Sequence, residues 1–370
     1  MRTLILWFHR LFNPGYIPKS SRAGTQSASD SMSTASSRAA AKLAKLAKSL
    51  ASSKHAAPKN EFLGNYKQLP SYVDARYFDW MAGKSTGNVV EDSSFERKLI
   101  EYLAALAASE FAGSNLIPRV PSVMVQLLKR MHEENVSGSE LSRIITKDVV
   151  LVAAILSEVN SSFYNLSDRI NDLSQAILLL GHNRLRMVLA KISFTPIYNA
   201  QLGAYTKLTA AKIWEESQKR AFVCYLLAKH QKVDPFMAFL AGLMQDVGLM
   251  VALRVFDRSS GSGQLPTSPT FRDEFQQQSM VLSARIGHIW SLPEVVIKAI
   301  EGQGMDKTAL AKIPLAKVLQ KGDFLSKTCV LIDSGQLNVD MERVRGVLTE
   351  AEMDCLFTLL EGNKNVSNIL

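Results

Sequence analysis

From Phe95 onward, apolar residues recur at every third or fourth position, the spacing of a helix that buries one face. Leu99, Tyr102, Leu103 and Leu106 mark a first helix; Val123, Leu127, Leu128 and Met131 mark a second that opens at Pro121. Ser137-x-x-Glu140 forms a capping box ahead of Leu141, Ile144 and Ile145. Asp148 can cap a helix through Val152, Ile155 and Val159. The pattern over 173–180 stops at Gly181, a residue free to adopt the conformation that closes a helix, and Asn183 can cap the next. Longer helical patterns cover 210–230, 235–256, 271–290, 294–303 and 315–332, the last stopped by Ser334-Gly335. Thr349-x-x-Glu352 is a second capping box, opening a helix over 350–360. No Asn-Gly or Asp-Gly hairpin turn separates alternating strands, so the predicted fold is all-α, a multi-helix bundle.

The first sixty residues break this pattern. Ser and Ala supply 22 of them, a composition that buries too little apolar surface to offset its ordering entropy. They also hold ten Lys/Arg against one acidic residue, Asp30, and so carry the whole +9 net charge of the 370-residue chain. Residues 61–370 are electrically balanced, which argues against nucleic-acid binding over the whole surface. The predicted organisation is a disordered basic tail over 1–60, a linker and lead-in helix over 61–99, a helical domain over 100–320, and C-terminal helices over 321–370 packed on it. Within the tail, residues 38–51 (RAAAKLAKLAKSLA) place Leu43, Leu46 and Leu50 on one side of a helix, with Arg38, Lys42, Lys45 and Lys48 around the rest. Two readings stay open: a solvated linker, or weak contact with an anionic membrane or nucleic acid. No run of 18 apolar residues predicts a transmembrane helix. Three widely spaced cysteines, Cys224, Cys329 and Cys355, fit neither a disulfide framework nor a zinc knuckle, and suit a reducing cytoplasm. Cytoplasmic placement is expected, with peripheral membrane contact as the alternative.

Several stretches together resemble a known family. In order they are Ile117-Pro118-Arg119-Val120-Pro121, Ile145-x-x-Asp148, Asn160-Ser161-Ser162-Phe163-Tyr164, Ala176-Ile177-x-x-Leu180-Gly181, and Leu185-Arg186. Trp214, then Ala241-Gly242-Leu243-Met244-Gln245-Asp246-Val247-Gly248, and finally Trp290-x-Leu292-Pro293 complete the series. The match is to the HDOD family, bacterial signalling domains related to the metal-dependent phosphohydrolases of the HD superfamily. It covers about 100–320 and departs at Val149, where the family usually has proline. The resemblance implies a helical bundle with a role in signal transduction, and a protein partner in a signalling pathway.

A hydrolase of the HD type needs histidines and aspartates converging on metal ions that activate a water. At the place of the name-giving His-Asp pair stands Gln245-Asp246. Glu216, Ser279 and Gln303 fall where the resemblance implies histidines, and Lys317 falls at the late aspartate place. These six are degenerate metal-site positions, so no metal, cofactor or catalytic residue is expected, and the chain reads as a regulatory module rather than an enzyme. A residual metal-dependent phosphohydrolase is the alternative. Asn160, Ser161, Gly181, Trp214, Gly248 and Trp290 read as structural motif residues, and Arg169, Arg184 and Arg186 as an anion or partner patch. Asp246 is expected to bond to a neighbouring helix or to Lys317.

Overall fold

The computed structural model describes residues 61–83, 93–109, 142–143, 145–146, 148–160, 168–199, 203–260 and 265–362. The basic tail with the helix expected at 38–51, the helix expected at 123–131, the expected Ser137/Glu140 capping box and Ser161 lie outside them.

The described residues are all-α. The helices are α1 Leu69–Met81, α2 Ser93–Ala108, α3 Val149–Val159, α4 Leu173–Asn199, α5 Ala204–His230, α6 Pro235–Met244, α7 Val247–Ser260 and α8 Pro269–Ile289. They continue with α9 Glu294–Glu301, α10 Lys307–Leu310, α11 Pro314–Asp333, α12 Met341–Arg345 and α13 Glu350–Gly362. Among the described residues the one β-type contact is an isolated bridge between Glu61 and Asn338.

Local chemistry sets the ends. At α6, Asp234 accepts from the Met237 amide at 2.9 Å and Pro235 fills the first turn, where its missing N–H costs nothing. Ser268 and Pro269 repeat the device at α8. Asp148 caps α3 through the Leu151 amide at 3.1 Å. The Thr349/Glu352 box forms as the sequence predicts: the Thr349 amide donates to the Glu352 carboxylate at 2.8 Å, and the Glu352 amide to the Thr349 hydroxyl at 3.4 Å. Gly181 interrupts α4 with φ 66° and ψ 170°, a conformation that only glycine adopts without strain.

α5 is the axis of the bundle. It packs against α6, α11, α13, α7 and α4, while α8 joins α7 to α2 and α9. Among the described residues, the apolar stretch Pro235–Ser259 is long enough to cross a membrane, but its most apolar 18-residue window is 94% buried within the bundle, as in a core helix. It is not one helix, as the periodicity suggests, but two, broken at Gln245-Asp246. The Ser283 hydroxyl of α8 bridges the break, accepting from the Gly248 amide at 2.8 Å and donating to the Gln245 carbonyl at 2.6 Å.

The segment 61–99, expected as a linker and lead-in helix, contains α1, which buries Leu69, Val73, Tyr77, Phe78 and Met81 and packs on α11. Its apolar residues alternate with Pro70, Ser71, Asp74 and Arg76, a short and weakly amphipathic stretch that periodicity alone does not separate from a linker. Residues 320 and 321 lie inside α11, the continuous helix expected over 315–332, packed along α5.

Asn160 closes α3. Its side-chain amide donates to the carbonyls of Leu156 at 2.7 Å and Ile170 at 2.6 Å, and its oxygen accepts from the Ile170 amide at 2.8 Å. It reaches these partners without a positive φ. Asn160→Ala should cost about 1–2 kcal/mol, because three bonds to backbone are lost from a half-buried site. Urea denaturation of the variant beside the parent protein measures it, and an unchanged midpoint would refute the role.

Candidate functional site: a buried guanidinium among carboxylates

α5 carries Glu216, Ser217 and Arg220, one helical turn apart on a face directed at α6 and α11. Arg220 is fully buried. Its Nε donates to the Gly242 carbonyl at 2.9 Å, Nη1 to Asp323 Oδ1 at 2.8 Å, and Nη2 to Asp246 Oδ2 at 2.8 Å and to Ser217 Oγ at 3.3 Å. Glu216 Oε2 also lies 2.8 Å from Nη1, but off the direction of an N–H, so the two make an ion pair without a hydrogen bond. Three carboxylates from three helical segments thus converge on one planar cation, whose forked donors suit bidentate and multiple pairing.

A second cation extends the cluster. Lys327, one turn beyond Asp323 on α11, donates to Asp323 Oδ2 at 2.6 Å and to Asp74 Oδ1 of α1 at 2.9 Å. Gln245 donates through Nε2 to Asp323 Oδ1 at 2.8 Å. Ser326 donates to Glu216 Oε1 at 2.5 Å. Close approach of the helices makes this possible: a Cβ on Gly242 would lie 2.6 Å from Ala221 Cα, and one on Gly322 would lie 2.3 Å from Cys224 Sγ.

The electrostatics follow from burial against pairing. Burial pushes the Glu216 carboxyl well above its ordinary range, against the pull of Arg220. Burial also acts to raise Asp323, yet Lys327 and Arg220 beside it hold it below its ordinary value of 3.8. A depressed carboxylate contributes stability that is complete above its unfolded value and is lost as pH falls through the folded one. The stability difference between the parent protein and Asp323→Asn should therefore be full at pH 7 and shrink below about pH 4. Denaturation midpoints of both proteins between pH 7 and pH 3 test this; a constant difference would refute it.

The six degenerate positions are not all brought together. Glu216, Gln245 and Asp246 meet in the cluster, and Ser279 lines a small pocket beside it. Gln303 instead ties the end of α9 to α11, donating to the carbonyls of Ala299 at 2.9 Å and Ala316 at 3.0 Å. Lys317 is exposed on α11, away from Asp246, which pairs with Arg220. The acidic member that α11 contributes is Asp323, six residues further on. Arg220, Asp323, Lys327, Asp74 and Tyr77 escaped the sequence-based selection. Glu216-x-x-x-Arg220 and Asp323-x-x-x-Lys327 are, however, spaced as helical ion pairs, a signal that marks both.

Among the structural positions, Trp214 is half-buried and tilts over Tyr198 with ring centroids 4.7 Å apart. Trp290 is buried at the end of α8, 5.9 Å from Phe194. Arg186 lies over the Phe236 ring at 4.1 Å, Arg184 is half-buried, and Arg169 is exposed. All three cysteines are buried, and burial drives the Cys355 thiol up to about 12, which keeps it from acting as a nucleophile near neutral pH.

The fold and this cluster define an all-helical domain organised around a helix break, with the Gln-Asp pair of that break facing a buried ion-pair network. The chain belongs to the HDOD domain family, whose pattern matches residues 117–304. An HDOD domain protein with unknown function from Geobacter sulfurreducens has the same fold, with TM-score 0.53 and 17% identity over 73% of this chain and 96% of that one. An uncharacterized protein of Treponema pallidum (strain Nichols) is 22% identical over 204 residues, 53% of this chain and 39% of its own length. The uncharacterized protein YuxH of Bacillus subtilis (strain 168) is 32% identical over 119 residues, 32% of this chain and 28% of its own. The chain thus spans well under half the length of either curated relative.

Kinship to the HD superfamily raises the question of a metal ion, and these residues do not fit one. The convergence point of Glu216, Asp246 and Asp323 is taken by the Arg220 guanidinium at 2.8 Å from each. Lys327 adds a second positive charge 2.6 Å from Asp323. Every carboxylate there is already charge-compensated, and a divalent cation would meet two fixed cations.

Proposed function

We propose that this protein is a non-catalytic signal-transduction module that acts by binding a protein partner or a regulatory ligand. The observation that supports it is Arg220. A phosphohydrolase of this kind needs a metal to lower the pKa of a water and to clamp a phosphate. Here the carboxylates at that place hold a guanidinium, which supplies no exchangeable position for water. The network instead locks α5, α6, α11 and α1 together, giving a rigid body on which a binding surface can be displayed. The signalling role rests on family membership, and cytoplasmic placement belongs to the same proposal.

The full chain, purified without chelator, should contain no stoichiometric transition metal by elemental analysis and should hydrolyse no phosphodiester with added Mn²⁺. Gln245→His alone should restore nothing, because one imidazole does not rebuild the other ligands or their supporting bonds. About one metal per chain together with metal-dependent turnover would overturn the proposal in favour of a phosphohydrolase.

A further inference from the structure

Beside the Arg220 cluster is a small pocket between α1, α8, α11 and the helix break. Tyr77, Gln245, Asp246, Ser279 and Lys327 supply its polar lining, and apolar side chains of α1, α7 and α8 close the rest. Two of its polar atoms have no hydrogen-bond partner among the described residues: the Tyr77 hydroxyl and Gln245 Oε1, although each residue is only 3% exposed. Burying a polar atom without a partner is costly, and two in one pocket call for a group between them.

Charge, hydrogen bonding and size each narrow what that group is. Charge selects neither a cation nor an anion. Asp246 is paired with Arg220, Asp323 with Arg220 and Lys327, and Asp74 with Lys327, while Arg272 adds a further positive charge facing Asp74. Hydrogen bonding asks for donor and acceptor in one molecule. Gln245 spends its amide nitrogen on Asp323, which fixes the amide and leaves the oxygen over as an acceptor. Ser279 donates its proton to the Phe275 carbonyl at 2.7 Å and keeps its lone pairs. Lys327 spends two of its three N–H donors, on Asp74 and Asp323, and the Tyr77 hydroxyl has its proton to give. Size decides the rest. The free space is about 30 Å³, and a water needs about 10–15 Å³ of such room, so nothing larger than one or two waters fits.

We infer that this pocket is a binding site for an ordered water that bridges the Tyr77 hydroxyl and Gln245 Oε1. The water accepts from Tyr77 and from the remaining N–H of Lys327, and donates to Gln245 Oε1 and Ser279 Oγ, the four bonds of a fully coordinated water. It joins α1, which precedes the span 117–304 that the family pattern covers, to the helix break at the centre of the domain. Filled in this way, the pocket offers a ligand no unsatisfied group. The inference goes beyond the signalling proposal and does not depend on it, since the water completes the pocket whatever the protein binds.

Two measurements on the full-length protein test it. A high-resolution crystal structure, from solutions free of ammonium salts, should show a density peak within about 2.6–3.2 Å of both Tyr77 Oη and Gln245 Oε1. Tyr77→Phe should lower the melting temperature by about 2–4 °C, the worth of one hydrogen bond in a domain of this size. A hydroxyl without a partner behaves the other way: its removal leaves melting unchanged or raises it. The inference is overturned by well-ordered side chains with no peak between them, by a direct bond between Tyr77 and Gln245, or by a Tyr77→Phe protein that melts no lower than the parent. Each of those results leaves the proposed function standing. A peak with anomalous scattering about 2.0–2.2 Å from Asp246 would be a metal, and would overturn this inference and the non-catalytic reading together.

Discussion

Arg220→Met is expected to lose about 3–5 kcal/mol of stability, the usual cost of deleting one partner of a buried ion pair. In a domain of this size that lowers the melting temperature by about 6–20 °C. The cost comes from what is left behind rather than from the bonds alone. Removing the guanidinium takes from Asp246 its paired cation, leaves Asp323 with Lys327 and Gln245 alone, and removes the side-chain donor to the Gly242 carbonyl. The same logic predicts the repair. Adding Asp246→Asn to Arg220→Met should recover part of the loss, because no carboxylate is then left without a cation, Asp323 and Asp74 keeping Lys327. Melting followed by circular dichroism decides it. A single variant that melts within about 2 °C of the parent would show that the cluster does not hold the helices together.

Gly248→Ala should cost about 3 kcal/mol, a large effect for one methyl group. At the start of α7, a Cβ would lie 2.0 Å from the Ser279 carbonyl oxygen and 2.4 Å from the Ser283 amide nitrogen, both backbone atoms of α8 that cannot rotate away. The two helices would have to separate, and the bonds that Ser283 makes across the Gln245-Asp246 break would go with them. Gly304→Ala serves as the control, since nothing lies within 4 Å of its Cβ position and its backbone is not in the left-handed region. Equal melting temperatures for the two variants would refute the close-approach argument.

The two variants bear on the proposed function in different ways. Arg220 supports the non-catalytic reading because it stands where a metal would. Gly248 concerns only how the helix break is held, yet that break orients Gln245 and Asp246 toward both the cluster and the pocket.

The sequence by itself determined the helices that have strong local signals. Asp148, the Thr349/Glu352 box, Pro235 and Gly181 act within one or two turns, so their effect is written where they stand. It also marked Gln245-Asp246 as a place without the histidine of a metal site. It did not reveal that the apolar run over 235–256 breaks there, because both halves have the same apolar character and the Ser283 that stabilises the break is 38 residues away. Nor did it gather the cluster. Asp74, Arg220, Asp246, Asp323 and Lys327 are separated by up to 253 positions, and each taken alone looks like an ordinary charge on a helix surface. The choice of Asp323 over Lys317 was a matter of helical phase: six residues along α11 turn the side chain from solvent to the interior. A charge becomes a buried partner only when a neighbouring helix brings the opposite charge within about 3 Å, and which helices become neighbours is decided by packing over the whole domain.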